Sequence, residues 1–297
     1  MPSGLNENNL TGGKMILVDF NQIAISNLMV NLKMNNTDQV DENMLRHMIL
    51  NSIRFNRSKF KDEYGELVIC CDGRNTWRRD IFPFYKRNRK ESRASSGYDW
   101  NHIFETLNKI KAELKEHFPY KVVHLDRAEA DDVIAVLVKN CSRDEKILIL
   151  SGDKDFMQLQ KYDNVKQYSP VQKKFLRTND PHEFLFEHIV RGDTGDGIPN
   201  CLSKDSTFVS GDRQKPVTRK RLDEWISQGK VVYRKGEVID GFDRNRRLID
   251  FDYIPEDLAN QILDTYENTP VADRGDVFPY FVNNRLSMLL EYVTEFV

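Results

Sequence analysis

Nine acidic side chains stand where an acid has the greatest chemical reach, at or just past the ends of apolar runs. The run Met15–Asp19 closes on Asp19, and Glu66–Asp72 closes on Asp72. Lys146–Leu150 leads into Ser151-Gly-Asp153-Lys-Asp155. Glu129-Ala-Asp131-Asp132 opens a helical stretch after Lys121–Leu125, and Asp193-Thr-Gly-Asp196 lies in a later loop. Singly, each acid has an ordinary structural reading, since carboxylates suit helix starts and turns. Together on one edge they repel unless cations neutralise them. An all-oxygen set suits magnesium or manganese. Two such ions about 4 Å apart can activate a water and stabilise the leaving oxygen of a phosphodiester.

Other chemistries fit less well. Cys70 and Cys71 are adjacent, Cys141 and Cys201 stand alone, and none has zinc-site spacing. Asp153-Lys-Asp155-Phe-Met157 begins like a calcium loop, but Met157 occupies a ligand position. There is no GxxxxGK phosphate loop. An aspartyl phosphotransferase motif fails because Asp19 is followed by Phe20-Asn21.

Strands and helices must alternate to bring these acids together. Helical spacing follows each of the early runs, over Asn21–Leu32, Glu42–Phe60, His102–Phe118 and Glu129–Lys139. The pattern predicts an α/β fold with a central, mostly parallel sheet flanked by helices. Its functional crevice lies at the carboxyl ends of the strands. Beyond about Ser169 the style changes to short helices (Pro181–Arg191, Arg219–Ser227, Asp257–Glu267, Arg285–Phe296) joined by polar loops. We expect a flexible leader over 1–14, a catalytic α/β domain over 15–180 and a smaller, mostly helical DNA-binding domain over 181–297. No stretch reaches the roughly 18 apolar residues of a membrane span. The reading is of a cytoplasmic monomer without a membrane partner.

The net charge of −2 hides an uneven distribution. Without the nine acids the remainder carries +7, a basic frame around an acidic centre. Residues 77–97 hold Arg78, Arg79, Lys86, Arg87, Arg89, Lys90 and Arg93, interleaved with Phe84 and Tyr85. Basic groups hold phosphates while an aromatic face stacks on an unpaired base, which makes Tyr85 the stacking candidate and Arg78 a further contact. Ser92–Gly97 reads as a segment that orders with substrate. A second basic group, Lys215, Arg219, Lys220 and Arg221, suits a duplex backbone.

The series LVDF at 17–20, CCDG at 70–73, AEADDVIA at 128–135, SGDKDFMQL at 151–159 and GDTGDGIPN at 192–200 resembles the 5′-nuclease (flap endonuclease) superfamily. That superfamily includes the 5′-nuclease domain of bacterial DNA polymerase I. The stretch RRLIDFDYIPEDLANQI at 246–262 is similar to the T-even-type phage ribonuclease H branch. The resemblance implies Asp19, Asp72, Glu129, Asp131 and Asp153 around a first Mg2+, with Mn2+ as substitute. Asp155, Asp193 and Asp196 would shape a second site, with Asp132 at the shared edge. FPFYKRNR is similar to a family pattern that makes Lys86 and Arg89 the catalytic phosphate contacts. The implied activity is removal of RNA primers and adjacent DNA from 5′ ends, on DNA and RNA–DNA duplexes with 5′ ends or flaps. A single-strand DNA-binding protein and a sliding clamp are the implied partners, in the cytoplasm of a bacterial host. CLSKDSTFVSGDRQ at 201–214 departs from the glycine-rich helical hairpin of cellular members. A PIN-like endoribonuclease and a non-cleaving junction binder are the alternatives.

Overall fold

The computed structural model describes residues 13–35, 40–234, 237 and 240–297. The leader expected over 1–14 lies outside them save for its last two residues. Six strands, β1 (Met15–Asp19), β2 (Glu66–Cys71), β3 (Lys121–His124), β4 (Ile147–Leu150), β5 (Val165–Ser169) and β6 (Lys174–Leu176), form one sheet in the order β3-β2-β1-β4-β5-β6. The first five run parallel; β6 pairs antiparallel with β5. Every residue of β1 and β4 is buried, as helices on both faces of a parallel sheet require.

The chain leaves β1 toward β2 on one side and returns to β4 on the other. The carboxyl end of β1 is therefore a topological switch point, where open α/β sheets bind ligands. Asp19 is in register with Cys70, and Val18 with Leu150. The residues that follow β2 and β4 thus emerge beside Asp19.

The chain divides into two compact units. The first holds the sheet and comprises residues up to Arg74, Asp99–Arg177 and Asp257–Val297. The second comprises Asn75–Tyr98 and Thr178–Glu256. A single cut near residue 180 would separate two segments from the units they belong to. Phe82 and Tyr85 enter one apolar cluster with Ile189, Ile198, Leu248 and Ile249, which draws 75–98 into the second unit. At the other end, Tyr120 Oη donates to the Phe296 carbonyl (2.8 Å) and Arg57 Nη1 to that of Glu295 (2.7 Å). The segment 257–297 accordingly belongs with the sheet.

Several elements depart from the sequence reading. The helix expected over Arg285–Phe296 is broken into Ser287–Leu290 and a 3-10 turn, Val293–Glu295. Arg285 at φ +55° delays its start, because a left-handed residue cannot belong to an α-helix. The hairpin strands β5 and β6 and the helices Gly241–Ile249 and Val277–Asn283 have no counterpart in that reading.

Candidate active site

In the first unit, Asp19 ends β1 and is almost wholly buried (5% exposed). Its Oδ1 accepts from the Gln22 amide (3.1 Å) and its Oδ2 from the Ser151 hydroxyl (2.9 Å). The same Ser151 oxygen accepts the Asp153 amide (3.0 Å), so one hydroxyl ties the end of β1 to the loop after β4. Gly152 permits this closeness: a Cβ there would meet Gln22 Nε2 at 2.9 Å. Asp153 caps the 3-10 helix Lys154–Lys161, its Oδ1 taking the Asp155 amide (3.0 Å). Gln167, buried in β5, donates to the carbonyls of Ser151 (3.0 Å) and Asp153 and fixes the loop from below.

Asp72 follows β2 directly. Asn21 Nδ2 reaches its Oδ2 (2.6 Å), and the Ala130 amide reaches its Oδ1 (2.9 Å). The second bond joins Asp72 to the start of the helix Ala130–Asn140, which is capped by Glu129 and carries Asp131 and Asp132. Gly73 is required here. A Cβ on it would lie 1.9 Å from the Leu125 carbonyl oxygen, while its amide donates to Ala128 O (2.8 Å). Burial, then the charge of Asp72, push the Asp19 carboxyl from 3.8 up to about 7. A carboxyl held protonated by burial and by a neighbouring acid is what a divalent cation would relieve.

Among the first unit's acids the donor set is oxygen only. The Cys70 and Cys71 thiols of β2 are buried and held well above their usual range, chiefly by that burial, so neither offers a thiolate. The residues present fit a hard cation of the magnesium type.

In the second unit, the loop Gly192–Gly197 turns back under the basic segment. Tyr85 Oη donates to Asp196 Oδ2 (2.8 Å), Arg89 Nη2 binds Asp196 Oδ1, and Lys86 Nζ lies 3.6 Å from Oδ2. Two bonds to backbone carbonyls reinforce the clasp: Lys86 N to Asp196 O (2.7 Å) and the Asn88 side-chain Nδ2 to Thr194 O (2.7 Å). His188 Nε2 stands 3.6 Å from Asp193 Oδ2. Burial acts to raise the Asp193 carboxyl, but the His188 contact and the loop amides outweigh it and hold it below the usual range.

The family profile for the 5′-3′ exonuclease N-terminal, resolvase-like domain matches residues 14–187, and that for the T4 RNase H C-terminal domain matches 182–296. Ribonuclease H of Enterobacteria phage T4 is 39% identical, over 94% of this chain and 95% of its own length. The chain belongs to the 5′-3′ exonuclease family. Within that family, the flap endonuclease Xni of Shewanella pealeana is 33% identical over 42% of this chain and 48% of its own length. The fold is shared with T5 5′-exonuclease, solved with divalent zinc ions, at TM-score 0.56 and 19% identity, covering 86% of this chain and 99% of that one. Membership of this nuclease family makes the chain a phosphodiester hydrolase that acts on nucleic acid.

For this family member, three expected roles need correction. Tyr85 is buried in the second unit's core (3% exposed) and cannot offer its face to a base. Arg78 is equally buried, its Nε donating to the Leu248 carbonyl (2.8 Å), and serves the fold rather than a phosphate. Arg221 forms a two-pronged pair with Glu237 (2.6 Å to each oxygen) and covers the Trp225 ring at 4.4 Å, which makes it internal. The helix Arg87–Ala94 runs into the segment Ser92–Gly97.

Two acids have committed oxygens. Asp132 is fully buried and its Oδ2 caps its own helix through the Glu129 amide (2.9 Å). Both Asp196 oxygens hold cationic or hydroxyl partners, which casts it as the anchor of Lys86 and Arg89 rather than as a ligand. Arg79, Arg87, Lys215, Arg219 and Lys220 are exposed. Arg219 is also engaged by Asp223 (2.7 Å). Asn21, Ser151 and Gln167 escaped the sequence reading as site residues. Only the polar side chains flanking buried strand ends could have signalled them.

Proposed function

We propose that this nuclease holds magnesium through Asp19, Asp72, Glu129, Asp131, Asp153 and Asp155, and uses it to release short products from the 5′ ends of RNA–DNA hybrids and DNA duplexes. The observation that carries this is the buried Asp19 carboxyl, pressed by Asp72 and tied through Ser151 to Asp153. Cations bound among these acids supply positive charge to a scissile phosphate and lower the pKa of an attacking water. The protein's own groups set the geometry. Asn21 and the Ala130 amide fix the Asp72 carboxylate, while Ser151 and Gln22 fix that of Asp19. Carboxylates locked in this way lose little freedom on coordination.

Lys86 and Arg89 contact phosphate oxygens in our reading, with Asp196 orienting both cations. Asp193 keeps a metal role by its motif alone; the proposal for the ions rests on the first unit's acids. Two ions are the expected number, with manganese able to substitute. The expected setting is primer removal in a bacterial host's cytoplasm, beside a single-strand DNA-binding protein and a sliding clamp.

The test uses 5′-labelled RNA–DNA hybrid, nicked duplex and flap substrates with magnesium or EDTA. Magnesium-dependent release of short 5′ products is expected. Tight binding without cleavage in magnesium and in manganese would overturn the assignment.

A further inference from the structure

The first unit carries a cationic patch separate from the groups assigned so far. It lies at the β3 edge of the sheet, beside the acids. The loops after β2 and β3 are stitched together: Arg127 N donates to Arg74 O (2.7 Å), and Arg74 N to Asp126 Oδ1 (3.1 Å). Arg74 stands two residues beyond Asp72 and Arg127 two residues before Glu129, so each Cα is within about 7 Å of an acid's. Both arginines are exposed.

Arg127 occupies the third position of the Leu125–Ala128 turn at φ +69°, where glycine or asparagine is at ease and an arginine is strained. The turn itself needs no guanidinium. Lys111 and Lys115, four residues apart on the helix Trp100–His117, lie within electrostatic reach of the end of β3. Both act with Arg74 on His124, the last residue of β3, whose imidazole is held low by burial and then by these cations.

We propose that Arg74 and Arg127, backed by Lys111 and Lys115, bind backbone phosphates of the cleaved strand on the β3 side of the carboxylate centre. The physical need is plain. A phosphodiester chain entering a cluster of carboxylates is repelled everywhere except where cations meet it. The phosphates flanking the scissile one must therefore be met by protein cations, and this patch supplies them next to Asp72 and Glu129. Such contacts carry no sequence information and suit a nuclease that cuts by structure.

This inference rests on the proposed function only in taking nucleic acid as the ligand. Fluorescence anisotropy of a 5′-labelled flap duplex, with calcium replacing magnesium to prevent turnover, gives Kd against salt concentration. Arg127→Gly is the informative variant, because it removes the guanidinium while easing the backbone. It should melt within a few degrees of the wild type. Arg127→Gly and Arg74→Ala should each lower the salt slope by about 1, and together weaken binding on the order of tenfold at 0.1 M salt. The control is Lys146→Ala, whose lysine precedes β4 and pairs with Glu63 (3.1 Å) at the other end of the strands. It should leave the slope unchanged. A double variant with wild-type Kd and slope, or one matched by Lys146→Ala, would overturn the proposal. Failure of the wild type to cleave in magnesium would strike the metal-nuclease reading instead, and leave this comparison interpretable.

Discussion

Replacing Asp19 with asparagine should stabilise the metal-free protein above neutral pH while removing its function. In the folded chain the Asp19 carboxyl is pushed from 3.8 up to about 7, by burial and then by Asp72. Between these values the native state holds a proton that the unfolded state has lost. Stability therefore falls as pH rises across that window, and is level on either side of it. At about 1.4 kcal/mol per pH unit, the loss from pH 4 to pH 7 is on the order of 4 kcal/mol. For a protein of this size that corresponds to roughly 10 °C in Tm. The asparagine side chain keeps the Gln22 contact, can donate to Ser151 Oγ, and carries no charge to bury. Thermal unfolding in EDTA from pH 5 to 8 should then show the wild type losing ground to Asp19→Asn as pH rises. Magnesium should restore the wild type alone, and more strongly at pH 8 than at pH 5, because bound cations replace the proton. Parallel Tm curves for the two proteins across this range would refute the reasoning.

Three further outcomes follow from the packing. Gly73→Ala forces a methyl to 1.9 Å from the Leu125 carbonyl and should cost upwards of about 2 kcal/mol in urea unfolding; an unchanged midpoint would contradict the stitched-loop geometry. Arg244, with a side chain 9% exposed, donates to the carbonyls of Pro199 (2.8 Å), Asn200 (3.2 Å) and Ser203 (3.1 Å). Arg244→Ala should cost about 2–4 kcal/mol, and Arg244→Lys should recover only part of it, because an ammonium lacks the planar fork. The four cysteines are free and buried, with Cys201 pushed up to about 12 mainly by burial. A thiol reagent should label none in the native protein and all four after denaturation; rapid native labelling would contradict their burial.

The catalytic half was legible because parallel strands buried on both faces read as uninterrupted apolar runs, and an acid that ends such a run can lie only at one edge of the sheet. Asp19, Asp72 and Asp153 follow from that logic alone. What failed was long-range. Nothing local in WRRDIFPFYKRNR tells that Phe82 and Tyr85 supply a core shared with Ile189 and Leu248, so a buried aromatic reads there as a stacking platform. Arg78 and Arg221 mislead for the same reason, since a guanidinium satisfied by a distant carbonyl or carboxylate looks free in sequence. The strands β5 and β6 are short and part polar, with Lys166 and Lys174 exposed within them, and lack the apolar run that marks the others. The helix Gly241–Ile249 carries four charged residues, which hide the two apolar positions it buries.

The central claim is that the first unit's carboxylates hold the metal that drives cleavage, and Asp153→Asn under single-turnover conditions tests it most directly. With magnesium and a 5′-labelled RNA–DNA hybrid, the cleavage rate should fall on the order of a thousandfold, while the Tm in EDTA stays at or above that of the wild type. A variant that folds normally and cleaves within tenfold of the wild-type rate would contradict the account.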